Sequence, residues 1–415
     1  MIYLLILRTS VRKGMTMNNY LAGGANSPIP NWEGYPELVV RGKGAEVFDV
    51  NDVAYIDTWM GYGALLFGHA PDFIKPIFAE VAEKGWFFSY PTLLERKLAE
   101  KLHDIIPCAE RVRFATTGSD AVAYAIRAAR QYTGRSAVIK VGASYHGVHE
   151  NLVSAAGAIT DTVPTAVQFN SLEEAEGLLC SRKFACLIVE PILANGGTVP
   201  PKPGYLASLR KLCTETDTVL IFDEVVTGFR INLGGAQREF GITPDVATFS
   251  KSIAGALPLS AICGKKEILD QFMPKGEVLF AGTFNGSPIA LQSALAFIDT
   301  LLSDPPHKEL DSLRGRITQA ITEYARSLNM QVAVQGYGSM FSIAFDVDMF
   351  EQGIHTSGAN QEKYIEFVKY LAREHRLLLP PLYTETIFLS VAHLPHEAKI
   401  IESLCAGLRY ISEKG

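Results

Sequence analysis

The chain has 415 residues, of which 48% are hydrophobic and 20% charged, and its formal net charge is −6. That length exceeds one ordinary domain and leaves room for two closely packed lobes around a large core. The modest acidity and the lack of any basic run exclude nucleic acid and anionic membrane surfaces as main partners.

The chain opens on an apolar stretch, MIYLLIL, with its positive charges, Arg8, Arg12 and Lys13, placed after it. A secretory signal has the reverse order, and a membrane span needs about 20 apolar residues. Met15 and Met17 are alternative starts that would make residues 1–14 an extension, and a cytoplasmic location is expected. From Asn18 to Asn31 the composition is rich in Gly, Asn, Pro and Ser, which predicts irregular backbone. Three β-rich runs follow, Leu38–Arg41, Glu46–Val50 and Ala54–Asp57, with a turn at Asn51-Asp52. Together they predict a small antiparallel meander. Thr58–Pro71 brings glycines and aromatics into a loop suited to lining a pocket.

Leucines at helical spacing predict an amphipathic helix over Pro91–Ile105. Beyond it, strands at Val112–Ala115, Ala137–Val141, Cys186–Val189, Val219–Phe222, Val246–Phe249 and Leu259–Cys263 are expected. They alternate with helices at Asp120–Tyr132, Leu172–Leu179, Leu206–Thr214 and Pro288–Leu302. The alternation predicts an α/β fold with a mostly parallel sheet covered on both faces. After about Pro305, helices at Leu310–Leu328, Gln361–His375 and His396–Ile411 flank short strands at Gln331–Val334, Met340–Phe345 and Ile387–Val391. This pattern predicts a smaller α+β domain built from residues 18–70 and 306–415, beside a large domain at 71–305. Six cysteines (Cys108, Cys180, Cys186, Cys213, Cys263, Cys405) are scattered without a C-x-x-C pair. They are expected to be free thiols in a reducing compartment, with neither a disulfide framework nor a metal site.

The stretch Val219–Pro258 carries the strongest chemical signal. Asp223 ends one short apolar run, and Lys251 lies 28 positions later, just after another. An acid and a lysine delivered by two strand ends meet the needs of a pyridoxal phosphate site. The lysine links covalently to the aldehyde, and the carboxylate keeps the pyridine nitrogen protonated. In ATTGSDAVAYAIRAAR, Gly118 permits a tight approach and Ser119 adds a hydroxyl at a helix start, as a phosphate requires. By itself that pattern is more often an ordinary helix cap. Likewise, Tyr145-His146-Gly147 would in isolation be an ordinary loop, and Glu190–Gly197 an ordinary turn.

FDEVVTGFR, LGGAQ, GITPD and TFSKSIAG together resemble the class III aminotransferases, most of all their glutamate-1-semialdehyde aminomutase branch. The resemblance covers about Gly23 to Leu408. It implies that Gly118 and Ser119 hold the cofactor phosphate, Thr117 standing where the family has serine, and that Tyr145 stacks on the ring. It further implies that Asn195 bonds the phenolic oxygen, Asp223 pairs with the ring nitrogen, Val225 packs against the ring, and Lys251 forms the covalent link. In FAGTFNGSPIALQSALAF, Thr283 is expected to reach the phosphate of a second subunit, which makes the protein a homodimer with its site at the interface. The aminomutase pattern NSPVR reads Asn26-Ser27-Pro28-Ile29-Pro30 here, so Pro30 replaces the arginine that grips a substrate carboxylate. Tyr62 stands in place of the pocket tryptophan, and Glu385 in PPLYTETIFLS keeps the pocket acid. These substrate-side residues predict an aminotransferase that moves nitrogen between an amino-acid donor and a carbonyl acceptor lacking an α-carboxylate. An amino sugar or aminoglycoside intermediate is the expected acceptor. A glutamate-1-semialdehyde-type aminomutase is the alternative, and a catalytically silent binding protein of the same fold a remote one.

Overall fold

The computed structural model describes residues 20–21, 34–149, 152, 165–354 and 357–414. The expected irregular segment around Pro30 lies outside them. Strands β1 (Val39–Lys43), β2 (Glu46–Asp49) and β3 (Ala54–Asp57) form the antiparallel meander. Its second turn closes because Asp49 Oδ1 accepts the Asn51 and Val53 amides, each at 2.9 Å, the local bond that makes Asp a turn former.

The central sheet has seven strands: β4 (Arg111–Ala115), β5 (Ala137–Val141), β6 (Thr165–Val167), β7 (Phe184–Val189), β8 (Val219–Asp223), β9 (Val246–Phe249) and β10 (Ser260–Gly264). Their spatial order is β4-β10-β9-β8-β7-β5-β6. Strand β10 runs antiparallel to both neighbours, and the other pairings are parallel. Every residue of β7 and β8 is buried, which explains their unbroken apolar runs: both faces of this sheet are covered.

Side chains alternate between the two faces. Val219 and Ile221 of β8 join Cys186 and Ile188 of β7 beneath the helix α1 (Gly118–Thr133), which contributes Val122, Ala125, Ile126 and Ala129. Leu220 and Phe222 turn to the other face, toward Leu209 and Phe297 of helices Tyr205–Glu215 and Pro288–Ser303.

Strands β11 (Val332–Tyr337), β12 (Met340–Phe345), β13 (Leu377–Leu378) and β14 (Ile387–Phe388) complete the set. β12 lies between β11 and β14, and β13 crosses to the N-terminal meander, pairing parallel with β3. The expected helix over Gln361–His375 is α-helical to Tyr370 and ends in a π turn, Leu371–His375. The expected strand over Ile387–Val391 pairs only at its first two residues and passes into a 3-10 turn, Val391–His396. β6 and β13 escaped the sequence reading because three and two residues are too few to show a period. Among the described residues, no helix is long and apolar enough to cross a membrane.

Candidate active site

The period of two along β8 decides where its acid goes. Val219 and Ile221 face α1, so Asp223 emerges on the same side just as the strand ends. Parallel β9 sets Thr248 beside Asp223, and Lys251 follows on the tight turn Lys251–Ala254. Lys251 has φ +48°, a left-handed conformation that non-glycine residues adopt at a cost and that clusters at functional sites. Both side chains line a cavity of about 170 Å³ whose wall also includes Gly118, Ser119, Tyr145, Asn195 and Val225. Seven residues singled out from sequence thus meet at one place.

Asp223 is buried, and its partners are specific. Oδ2 lies 2.7 Å from His146 Nδ1, while Oδ1 accepts the Val225 amide at 3.1 Å and the Thr248 hydroxyl at 3.3 Å. A carboxylate offers about four acceptor positions, so room remains for one donor from the cavity. His146 Nε2 in turn lies 2.7 Å from Ser144 Oγ, which fixes the ring. His146 and Thr248 are the functional neighbours that sequence reasoning did not assign. Only the β8/β9 register and the return of the Tyr145 loop bring them to Asp223.

Glu190 ties two walls of the cavity together. Its carboxylate accepts the Tyr145 amide at 2.8 Å and the Ala194 amide at 3.0 Å, and Asn195 Nδ2 lies 3.3 Å from each oxygen. Burial raises its pKa, and the nearby His146 works against that rise. Lys251 shifts the other way, with burial holding its pKa below the usual ammonium range. The carboxylates of Glu385, Glu190 and Asp223 oppose that fall, and Arg230 adds to it.

At the start of α1, Thr117 and Asp120 form a reciprocal capping box, with the Asp120 amide on Thr117 Oγ1 at 3.2 Å and the Thr117 amide on Asp120 Oδ2 at 3.1 Å. The cap therefore belongs to Thr117, which leaves Gly118 and Ser119 at the cavity wall, at the positive end of a 16-residue helix. Two glycines keep this corner open. A Cβ on Gly118 would come within 3.0 Å of Val225 Cγ2, and one on Gly147, at φ +88°, within 2.3 Å of Ser119 Oγ.

The model of the family described as Aminotransferase class-III matches residues 30–369. The chain belongs to the class III aminotransferases. This family depends on pyridoxal phosphate. A glutamate-1-semialdehyde 2,1-aminomutase of Saccharolobus islandicus is 39% identical over 388 residues, covering 90% of each chain. Its counterpart from Archaeoglobus fulgidus is 34% identical, covering 94% of this chain and 97% of its own. Among solved structures, an omega-transaminase from Sphaerobacter thermophilus matches with TM-score 0.86 and 26% identity, over 96% of both chains.

The cavity fits the family's cofactor on its own chemistry. A helix N-terminus with an uncommitted serine suits the phosphate. A strand-end carboxylate with one open acceptor position suits a pyridinium N–H. A lysine lines the same cavity, and Tyr145, 56% exposed, supplies an aromatic wall.

The substrate-side residues sit further out. Tyr62 is half-exposed, its ring 4.4 Å from Trp59, in a run from Met60 to Gly63 in which every φ is positive. It lies off the cavity wall. The carbonyl of adjoining Gly63 accepts Arg230 Nη2 at 2.6 Å and the Ser252 hydroxyl at 3.2 Å, so the turn is tied to the lysine segment. Glu385 is also off the wall, yet its charge acts on both Lys251 and Tyr145. Thr283 is exposed and away from the cavity of its own chain. It does not cap the following helix, whose cap position is Ser287. Pro30 falls outside the described residues.

Proposed function

We propose that this class III aminotransferase moves an amino group between an amino-acid donor and an aldehyde or ketone lacking an α-carboxylate, with an amino sugar or aminoglycoside intermediate as acceptor. Pyridoxal phosphate, when bound, supplies an electron sink for the carbon that exchanges its proton. In this reading, Gly118 and Ser119 hold the phosphate, Asp223 keeps the ring nitrogen protonated, and Asn195 faces the phenolic oxygen. Val225 and Tyr145 pack on the two ring faces. Lys251, its pKa lowered by burial, is the amine that accepts a proton from substrate carbon and returns it. Thr283 serves the phosphate site of a partner subunit.

One observation carries the choice of substrate. Glu385 exerts its charge on Lys251 and Tyr145, and Lys251 is the only lysine or arginine of the cavity wall among the described residues. Pro30 stands where the aminomutase pattern has its carboxylate-binding arginine. Such a site favours cationic, hydroxyl-rich amines over carboxylates. The 39% identical aminomutases favour a second reading, isomerisation of glutamate-1-semialdehyde.

Incubation with glutamate-1-semialdehyde and no amino donor separates the two, since turnover there would overturn the transfer reading. Under that reading, amino donors bleach the cofactor's visible absorption, and aldehyde or ketone forms of the sugar, the nitrogen acceptors, then restore it. Lys251→Ala should retain cofactor while losing at least roughly 10²-fold in turnover, and full turnover in that variant would defeat both readings.

A further inference from the structure

Three buried hydroxyls join the segment that follows Glu385 to the turn that carries Asn195. Thr198 Oγ1 lies 2.9 Å from Ser342 Oγ and 2.9 Å from Thr386 Oγ1, and Thr386 Oγ1 donates to the Ala194 carbonyl. All three residues are 2% exposed or less. The carbonyl fixes the direction of the whole line, because it can only accept. Thr386 gives its one proton to Ala194, so its oxygen accepts from Thr198, and Thr198 accepts from Ser342. Each hydroxyl donates once along a single path, the arrangement in which bonds in a chain reinforce one another.

The ends of this line matter more than its middle. Ala194 precedes Asn195, and its amide is held by Glu190. Thr386 follows Glu385. Ser342 anchors the line in β12, a strand of the C-terminal part of the chain. Thr198 itself has φ +55°, costly for a β-branched residue and retained only where the surroundings dictate it. Here Leu193 and Val199 exchange both backbone bonds, at 2.9 and 3.2 Å. A Cβ on the adjoining Gly197 would collide with Phe350. The turn is thus built to aim the Thr198 hydroxyl at Thr386.

We infer that the Ser342–Thr198–Thr386 line is a positioning device that holds Glu385 in register with the Asn195 turn, and so sets how firmly that acid acts on Lys251. The inference rests on the proposed role of Glu385 at the substrate side. Glu190, Asp223 and Arg230 also face Lys251, and substitutions in the hydroxyl line leave them in place.

The test is the pH midpoint for acetylation of Lys251, followed by peptide mass spectrometry on the full-length chain freed of pyridoxal phosphate. A midpoint, unlike a rate, does not depend on how accessible the amine is. With Glu385 loosened, Lys251 loses a carboxylate that retains its proton, so Thr386→Val should move the midpoint down by about half a pH unit, about threefold in the proton equilibrium. Thr386→Ser, which keeps the hydroxyl, should restore it, and Ser342→Ala should move it in the same direction as Thr386→Val. Glu385→Gln should move it at least as far. A wild-type midpoint in Thr386→Val, with a shifted one in Glu385→Gln, overturns the positioning role and leaves the reading of Glu385 standing. A wild-type midpoint in Glu385→Gln overturns both. Should Thr386→Val fail to fold, an unmoved midpoint in Ser342→Ala would itself sink the inference.

Discussion

At the start of α1, adjacent residues divide two jobs that sequence alone merges. Thr117 and Asp120 cap the helix, whereas Ser119 lines the cavity. Thr117→Ala should therefore lower the stability of the cofactor-free protein by about 1 kcal/mol, read as a drop in melting temperature. Ser119→Ala should leave that melt unchanged and weaken pyridoxal phosphate binding by roughly 10-fold, the worth of one hydrogen bond to a charged group. A Ser119→Ala protein that melts early and binds normally would show the jobs exchanged. The same scale explains why Asp223 and Lys251 were legible. A charged residue closing an apolar run has few physical reasons to be there, because burying it unpaired is expensive. His146 gave no such signal, since a loop histidine is usually unremarkable until its neighbour is known.

Between elements, the end of β3 and the turn Val391–His396 are locked by a buried histidine. His393 Nδ1 accepts the Ser390 amide at 2.9 Å, and Nε2 lies 3.0 Å from the Asp57 carbonyl. Asp57 also receives the Trp59 amide at 2.8 Å and sits 2.9 Å from His69 Nε2. Burial pushes the His393 pKa down to about 4, against the partial opposition of Asp57. The folded protein thus keeps this ring neutral, while the unfolded chain protonates it below about pH 6.5. Its contribution is complete above pH 6.5 and is lost as pH falls toward 4. Melting temperature should fall across pH 6.5 to 5, ahead of carboxylate titration, and His393→Asn should flatten that slope while lowering the plateau. An unchanged slope in the variant would assign the acid sensitivity elsewhere. Nothing in the local sequence announces this lock, because Asp57 and His393 are 336 positions apart.

At the scale of the molecule, we propose the division into a large domain at 71–305 and a small domain from 18–70 and 306–415. The pairing of β13 with β3 supports it by joining the two ends of the chain. We propose a homodimer on a second observation. Trp86, Tyr90, Leu93 and Phe284 are each at least 64% exposed in the single chain, and Phe87 packs 5.9 Å from Phe284 beside Thr283. An apolar area of this kind is rare on a monomer. Light scattering should give twice the 45.3 kDa chain mass. Phe284→Asp should yield monomers with weakened cofactor binding, and fully active monomers would end the claim that Thr283 acts across the interface.

The sequence by itself determined six of the seven central strands, the cofactor chemistry and most of the cavity wall. Strand period, helix caps and a strand-end acid are local features, each written within a few residues. Tertiary structure alone decided that β10 runs against its neighbours, that β13 crosses to the meander, and that His146 and Thr248 share Asp223. It also decided that Ser342, Thr198 and Thr386, drawn from three distant segments, form one directed line of hydroxyls. Such partners are set by strand register and by where loops return, and pairing across hundreds of residues leaves no period in the sequence to read.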